Sequence, residues 1–359
     1  MEEIRFLTPI SGVMLGDIAG KPEGGSLWID VALKSFAGRR ITVNGREAED
    51  HAGIYTVKVP LTAYRNVLTA RDETTGAAAE SIVYRLKNDS MKYRLSLDDN
   101  IWFFQDIARK QYDSLFDNPY LALYRDMHEK YGTKVHLNMY YCCPEFGGFN
   151  LTQFPDRYKG EWEKASEWLR LSFHALKNLP DQPYIRATYD QAYGECEMVN
   201  REIERFAGKS SMSDYTTIHW CEGTKEACRA FRDNGYRTLQ GGTVGNGTEP
   251  IDYYIDDEAF WEGVRKFGYY HDEEEGITVT SSNVCLNSFT PEQIPKKLDS
   301  MTSKYPLCGF IDLIIHEQYF YPHYVNYLPD YRERVEAGIR WCAEHGYEPS
   351  FRSEPLRPY

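Results

Sequence analysis

The 359-residue sequence lacks several features that mark particular classes of protein. No apolar run approaches the roughly 20 residues that a transmembrane helix needs. The first residues, "MEEIRFLTPISGVM", lack the basic start and apolar segment of an export signal. No basic patch stands out either, and the net charge is −13. Because nucleic-acid phosphates require basic patches, we expect neither a nucleic-acid partner nor a membrane partner.

Cysteine is present but forms no motif of a redox pair or a metal site. The eight cysteines are scattered, no C-x-x-C pair occurs, and the adjacent Cys142 and Cys143 cannot easily bond to each other. Scattered thiols of this kind are typical of a reducing compartment. We therefore expect a cytoplasmic protein whose cysteines are mostly reduced.

Two abundant features are ambiguous between structure and function. The sequence contains 28 Tyr, 17 Phe and 7 Trp, and aromatic side chains stack on sugar rings but also fill cores. The most charged run, "HDEEEG" at 271–276, is interpreted as a solvated loop rather than a metal site.

Residues 1–90 have a different pattern from the rest of the chain. Short alternating runs such as "GSLWIDVAL" and "GIYTVKVPL" are separated by turns, among them Asn44-Gly45. Closely spaced strands without helical periodicity predict an antiparallel β-sandwich of immunoglobulin-like size. Because no reactive cluster occurs here, we interpret residues 1–90 as an ancillary domain.

Residues 91–359 alternate between strand and helix patterns. Four helices end on glycine, in "EKYG", "RDNG", "RKFG" and "AEHG", and glycine closes helices in the left-handed conformation. This alternation predicts an α/β fold, a (β/α)7 TIM-like barrel, with an open doubly wound sheet as the alternative. The seven predicted strands are 92–98, 134–141, 169–174, 215–220, 236–241, 277–286 and 310–318.

Carboxylates and histidines coincide with the ends of these predicted strands. Asp98 and Asp99 end the first strand, and His174, His219 and His316 lie near the ends of later ones. In a parallel barrel the strand ends form the active site. One carboxylate and two imidazoles are an ordinary ligand set for a catalytic zinc-like ion, so we predict Asp99, His174 and His219 as metal ligands.

The two remaining residues suit proton transfer. A bound cation would lower the pKa of its water and polarise a substrate carbonyl. Asp98 could then take a proton from that water, and His316 could donate one to a leaving group. Repulsion between Asp98 and Asp99 is relieved if one of them binds a dication.

With these residues placed, the sequence resembles the polysaccharide deacetylase family (carbohydrate esterase family 4, the chitooligosaccharide deacetylase homology domain). "SLDD" at 96–99 is similar to the first family motif, with its base and metal-binding Asp, and "SFHALKN" at 172–178 to the second, with its metal-binding His. "LIIHEQ" at 313–318 matches the late strand that bears the catalytic-acid His. The resemblance covers roughly residues 91–350 and implies a (β/α)7 barrel.

The sequence departs from the family pattern at two places. The second motif normally has another His four residues after the first, and that position is Asn178 here. The family's Arg-Pro-Tyr element reads His219-Trp220. We interpret His219 as the replacement for the missing ligand; the alternative is a degenerate metal site.

The resemblance implies hydrolysis of an N- or O-linked acetyl group on a carbohydrate, with zinc as the expected cation. Metal-bound water would attack the acetyl carbonyl, with Asp98 as base and His316 as acid. Four aromatic residues near the strand ends are candidates for stacking on sugar rings, namely Trp102, Tyr140, Trp220 and Tyr319.

Two other functions fit the same residues. A glycoside hydrolase needs two separated carboxylates, so Asp98 or Asp99 would require Glu317 or Glu222 as its partner. A non-catalytic sugar-binding protein could have kept the fold and lost the metal, which Asn178 would explain.

Overall fold

The structure is a computed structural model that describes residues 4–243, 253–255, 258–282 and 284–358. Its N-terminal part contains ten strands and no α-helix among the residues described. The strands are β1 (Ile4–Thr8), β2 (Met14–Leu15), β3 (Lys21–Glu23), β4 (Ser26–Ser35), β5 (Ile41–Val43), β6 (Arg46–Glu47), β7 (Glu49–His51), β8 (Ile54–Leu61), β9 (Arg65–Asp72) and β10 (Ala78–Arg85).

These ten strands form two sheets that share one hydrophobic core. One sheet has the order β1-β4-β8-β7 with β3 beside β4, and the other has the order β2-β10-β9-β5-β6. Only the short β2–β10 pair is parallel. Alternate residues of β4, including Leu27, Ile29 and Val31, are buried in the core, as the alternation predicts. The immunoglobulin-like type of this β part stays a prediction.

The rest of the chain is a mixed α/β structure. Its strands are β11 (Lys92–Asn100), β12 (Val135–Tyr140), β13 (Cys142–Cys143), β14 (Phe149–Asn150), β15 (Leu169–Ala175), β16 (Tyr215–Thr216), β17 (Thr238–Thr243), β18 (Tyr269–Asp272), β19 (Ile277–Ser282), β20 (Val284–Cys285), β21 (Phe310–His316) and β22 (Glu348–Pro349). Its helices are α1 (Trp102–Lys110), α2 (Pro119–Tyr131), α3 (Lys159–Ala165), α4 (Tyr189–Phe206), α5 (Lys225–Asp233), α6 (Glu258–Phe267), α7 (Gln293–Lys304) and α8 (Tyr331–Glu344).

Two parallel sheets contain the seven main strands, which are β11, β12, β15, β16, β17, β19 and β21. The first has the order β15-β12-β11-β21-β20, with β22 beside β11, and the second has the order β16-β17-β19, with β18 antiparallel at its edge. A parallel bridge between Leu171 and Met212 joins β15 to the segment before β16. The predicted α/β class is confirmed, and closure into a seven-stranded barrel stays a prediction.

The observed strands correct two of the predicted boundaries. The strand predicted over 215–220 is shorter in the structure and comprises only β16, Tyr215–Thr216. His219 lies after it, in a 3₁₀ turn, His219–Cys221. The strand predicted over 277–286 ends at Ser282, and its residue 283 lies outside the described residues.

Local sequence explains where the helices begin and end, as α2 shows. The side chain of Asn118 accepts hydrogen bonds from the backbone amides of Tyr120 and Leu121, and Pro119 occupies the first turn. Gly132 closes the helix with a φ of 69°. In the part of the chain that is described, no helix is long and apolar enough to cross a membrane. None of the eight cysteines, all of which lie in the described residues, forms a disulfide bond.

Candidate metal centre

A cavity of about 780 Å³ lies at the C-terminal ends of the parallel strands. All residues predicted as ligands, base, acid and stacking groups line it. They are Asp98, Asp99, His174, His219, His316, Trp102, Tyr140, Trp220 and Tyr319. Asn178 lines the same cavity.

The two adjacent carboxylates at the end of β11 contact different groups. Asp98 stays in register with His316 of β21. Asp99 has a φ of 66°, and the register with β12 shifts between Leu97 and Asn100. A positive φ costs a residue with a side chain about 1 kcal/mol. This local break separates the carboxylates into two environments.

Asp98 is held by donors from the interior of the sheet. Its Oδ1 accepts hydrogen bonds from Asn138 Nδ2 at 2.6 Å and from Ser96 Oγ at 3.1 Å. The residue is buried, with 4% of its surface exposed. Two donors on one oxygen fix the orientation of this side chain.

The side chains of His174 and His219 are oriented by backbone carbonyls. His174 Nδ1 contacts the carbonyl oxygen of Thr217, and His219 Nε2 donates to the carbonyl oxygen of Asn178 at 3.1 Å. A ring nitrogen that donates to a carbonyl leaves the other nitrogen free as a ligand. The free nitrogens, Nε2 of His174 and Nδ1 of His219, both face Oδ1 of Asp99.

These three atoms have the spacing of metal ligands. Asp99 Oδ1 lies 3.1 Å from His174 Nε2 and 3.4 Å from His219 Nδ1, and the two nitrogens are 3.2 Å apart. Tetrahedral zinc with ligands at about 2.0–2.1 Å has ligand–ligand edges of about 3.3 Å. The donor set and its dimensions therefore fit a zinc-like divalent cation.

The electrostatics of the site favour the charged form of Asp99. Burial alone would raise the pKa of this carboxyl, but hydrogen bonds with His174 and His219 hold it well below its usual range. Burial would lower the pKa of His174, and the hydrogen bond with Asp99 raises it instead. A positive charge is thus stabilised between these side chains, whether it is a proton or a metal ion.

His316 lies across the sheet from Asp98 and has partners of its own. Its Nδ1 donates to Oδ1 of Asn287 at 2.8 Å, and the thiol of Cys285 lies 4.0 Å from the same nitrogen. Burial would lower the pKa of His316, but Cys285 and the charges of Asp99 and Asp98 raise it above its ordinary value. A protonated imidazole oriented by one ring nitrogen can donate from the other.

The predicted stacking residues differ in how much surface they offer. Trp220 is 44% exposed, Tyr319 is half-buried, and Trp102 is 8% exposed. Tyr140 is 1% exposed, and its hydroxyl contacts Asp99. Tyr140 therefore offers little ring surface for stacking, and the stacking roles of the four aromatic residues stay predictions.

The two glutamates named as glycosidase partners are not among the described residues that line the cavity. Glu317 is fully buried, and its carboxylate accepts from the backbone amides of Ile101, Trp102 and Phe103 at 2.6, 2.9 and 2.6 Å. Burial raises its pKa to about 7. Glu222 accepts from Gln182 at 3.2 Å. Glu317 therefore caps α1 and fixes the start of that helix rather than facing a substrate.

Comparisons with known proteins find similarity only among solved structures. No family model and no curated protein matches the chain. The chain is similar to the Bc1960 peptidoglycan N-acetylglucosamine deacetylase at 9% identity, over 74% of this chain and 87% of that one, with a TM-score of 0.37. It is also similar to a Bordetella bronchiseptica protein provisionally described as a polysaccharide deacetylase involved in O-antigen biosynthesis. There the identity is 12%, the coverage 70% and 84%, and the TM-score 0.34. Values this low carry no conclusion about the activity of this chain.

Two residues of the site, Asn138 and Asn287, escaped the sequence analysis, although β12 held a signal for Asn138. Its sequence "VHLNMY" places His136, Asn138 and Tyr140 two residues apart. Polar residues at alternate positions of a buried strand share one face. Here that face includes Asn138, which holds Asp98, and Tyr140, which contacts Asp99. Asn287 lies in a 3₁₀ turn, Leu286–Ser288, and had no comparable signal.

Proposed function

We propose that this chain is a metal-dependent carbohydrate deacetylase built on a (β/α)7 barrel, with Asp99, His174 and His219 as the ligands of a zinc ion. The observation that carries the proposal is the convergence of these three donor atoms, all within 4.8 Å of one another and all buried. Asp98 and His316 lie in the same cavity. The motif resemblance directs the chemistry to acetyl groups on sugars.

The residues around the centre have separate roles in the proposed reaction. When bound, a divalent cation supplies a water of lowered pKa and polarises the acetyl carbonyl. Asp98, oriented by Asn138 and Ser96, accepts the proton that the attacking water loses. His316 donates a proton to the departing amine or alcohol, and acetate is the second product. The pairing of Asp98 with His316 on neighbouring strands supports this division of roles.

The exposed aromatic residues suit a carbohydrate. Trp220 and Tyr319 line the cavity with accessible ring surface. Rings of this kind bind the apolar faces of sugars and leave the hydroxyl groups hydrated. The cavity is also large enough for a sugar unit, since ligand sites usually span about 300–1,000 Å³.

Metal content and acetate release together test this function. Protein purified without chelator should contain one divalent ion per chain, and His174→Ala and His219→Ala should each lose it. A panel of acetylated sugars should yield acetate with the unmodified protein and none with Asp98→Asn. His51→Ala, which changes an exposed histidine of β7, should keep both metal and activity.

Three outcomes would contradict the proposal. Protein that binds no divalent ion even on addition would exclude the metal centre. Release of reducing ends without acetate would identify a glycosidase. Metal and sugar binding without any product would identify a sugar-binding protein.

A further inference from the structure

The side chain of Gln318 is buried in the wall of the cavity and has an unpaired oxygen. The residue is 7% exposed and lines the same cavity as Asp98 and His316. Its Oε1 is out of contact with bulk solvent and accepts no hydrogen bond from any residue that the structure describes. A buried amide oxygen without a donor costs free energy, because its bond to water is lost and not replaced. Such an oxygen in the wall of a cavity points to a donor that enters with a ligand.

The backbone around Gln318 is well anchored. Gln318 belongs to a 3₁₀ turn, Glu317–Phe320, that directly follows β21. The carboxylate of Glu317 accepts hydrogen bonds from three backbone amides at the start of α1. The carbonyl oxygen of Gln318 accepts from the backbone amide of Tyr321 at 3.1 Å. The side chain of Gln318 is therefore presented from a fixed turn.

Another buried glutamine shows how such an amide oxygen is satisfied inside the fold. Gln240 of β17 is fully buried. Its Oε1 accepts from the hydroxyls of Tyr215 at 2.6 Å and Thr217 at 3.0 Å. The chain supplies donors to the glutamine inside the sheet and none to the oxygen of the glutamine that lines the cavity.

We propose that Gln318 binds the substrate, with Oε1 accepting a hydrogen bond from a donor of the carbohydrate close to the acetyl group. This inference rests on the proposed deacetylase function. A half-turn about the Cγ–Cδ bond exchanges the amide oxygen and nitrogen, so Oε1 can face the cavity without a backbone change. Gln318 lies two residues after His316, the proposed acid, so we assign its partner to the departing amine or alcohol part of the substrate.

Two substrate groups have the required chemistry. An N-acetylated sugar offers the N–H of its acetamido group, whereas the ester oxygen of an O-acetylated sugar has no hydrogen to donate. Both classes of sugar also have hydroxyl groups near the acetylated position. Gln318 favours N-acetylated over O-acetylated sugars if the acetamido N–H is its partner, and it favours neither class if the partner is a hydroxyl.

Gln318→Met tests the assignment, because methionine has a similar length and no amide. We expect kcat/KM for acetylated sugars to fall about five- to tenfold, the effect of one hydrogen bond. The melting temperature should stay unchanged or rise, since the substitution removes an unpaired oxygen from the interior. Gln240→Met is the matched control and should lower the melting temperature, because it removes an acceptor that is paired. Gln318→Ala gives the same comparison of kcat/KM if the methionine variant does not fold.

The outcomes separate this inference from the proposed function. A fall in kcat/KM confined to N-acetylated sugars identifies the acetamido N–H as the donor, and an equal fall with both classes identifies a hydroxyl. An unchanged kcat/KM overturns the role of Gln318 and leaves the deacetylase function standing. A fall in kcat/KM together with a lower melting temperature overturns it as well, because the role is then structural. If the unmodified protein releases no acetate from any sugar, both proposals fail.

Discussion

Asp98 and Asp99 share a peptide bond, yet they have no hydrogen-bond partner in common in the described structure. The φ of 66° at Asp99 takes its carboxylate out of the strand pattern, towards His174 and His219. Asp98 remains in register and contacts Asn138. The positive φ at Asp99 thus gives the two adjacent carboxyl groups separate sets of hydrogen-bond partners.

Asn287 accepts the shorter of two side-chain contacts at Nδ1 of His316, at 2.8 Å against 4.0 Å for the thiol of Cys285. Replacing Asn287 by alanine removes this hydrogen-bond acceptor and leaves the imidazole of His316 less firmly oriented. We expect Asn287→Ala to lower kcat about five- to tenfold with little change in KM, because one hydrogen bond contributes about 1 kcal/mol. Steady-state kinetics of deacetylation would measure this.

The conservative variant serves as the control for Asn287. Asn287→Asp keeps an oxygen that can accept from Nδ1 of His316, so its kcat should stay near that of the unmodified protein. Equal kinetics for the alanine variant and the unmodified protein would contradict the positioning role. A loss of kcat matched by an equal loss of thermal stability in both variants would do so as well.

Among the secondary-structure elements, the glycine-closed ends of the helices could be predicted from local sequence. The burial of a glutamate in the acidic run could not. The glycines of "EKYG", "RDNG", "RKFG" and "AEHG" all have positive φ, between 69° and 106°, as predicted. The run "HDEEEG" begins in β18 and continues as the turn 273–276 before β19, and Glu275 within that turn is buried rather than solvated. Its partners lie on α5, 46 and 50 residues earlier, and no short-range pattern reveals a contact over that separation.

Glu275 ties this turn to α5 through several charged hydrogen bonds. Arg229 donates from Nε and from its second terminal nitrogen, both at 2.7 Å, and Lys225 Nζ lies at 2.9 Å. The hydrogen bonds with Arg229, and then with Lys225, lower the pKa of Glu275 to about 2. Its contribution to stability is therefore present above the ordinary pKa of 4.5 and is lost as the pH falls towards 2.

We expect Glu275→Gln to lower the free energy of unfolding by about 1–2 kcal/mol at pH 7. The reason is that a neutral amide forms weaker hydrogen bonds with Arg229 and Lys225 than the carboxylate does. The difference from the unmodified protein should shrink between pH 5 and pH 3. Urea unfolding at several pH values measures both quantities. Glu274→Gln, at the exposed neighbouring position, should change little. A difference that grows on acidification would contradict this account.

For the whole molecule, composition and periodicity predicted two kinds of structure but not how they join. The β part and the α/β part meet along β18, where Val13 forms an antiparallel bridge with Tyr270 and His271 N donates to Gly12 O at 2.7 Å. Arg65 pairs with Glu273 at 2.5 Å across the same boundary. Phe267 of α6 is buried in the core of the β part. These contacts join residues about 200 or more positions apart, and sequence periodicity describes only near neighbours.

Gly12 tests whether the two parts unfold as one unit. It has a φ of 92°, and a methyl group there would lie 2.7 Å from the carbonyl oxygen of His271 and closer still to the ring of Tyr270. Gly76 has a φ of 80° with nothing within 4 Å, so Gly76→Ala costs only the strain of the positive φ, about 1 kcal/mol. Gly12→Ala adds overpacking, and we expect the free energy of unfolding to fall by about 3 kcal/mol in total.

If the two parts are one cooperative unit, urea unfolding of Gly12→Ala shows one transition, at a lower urea concentration, by both fluorescence and far-ultraviolet circular dichroism. Two separate transitions, with one midpoint unchanged, would show that the β part and the α/β part are independent domains.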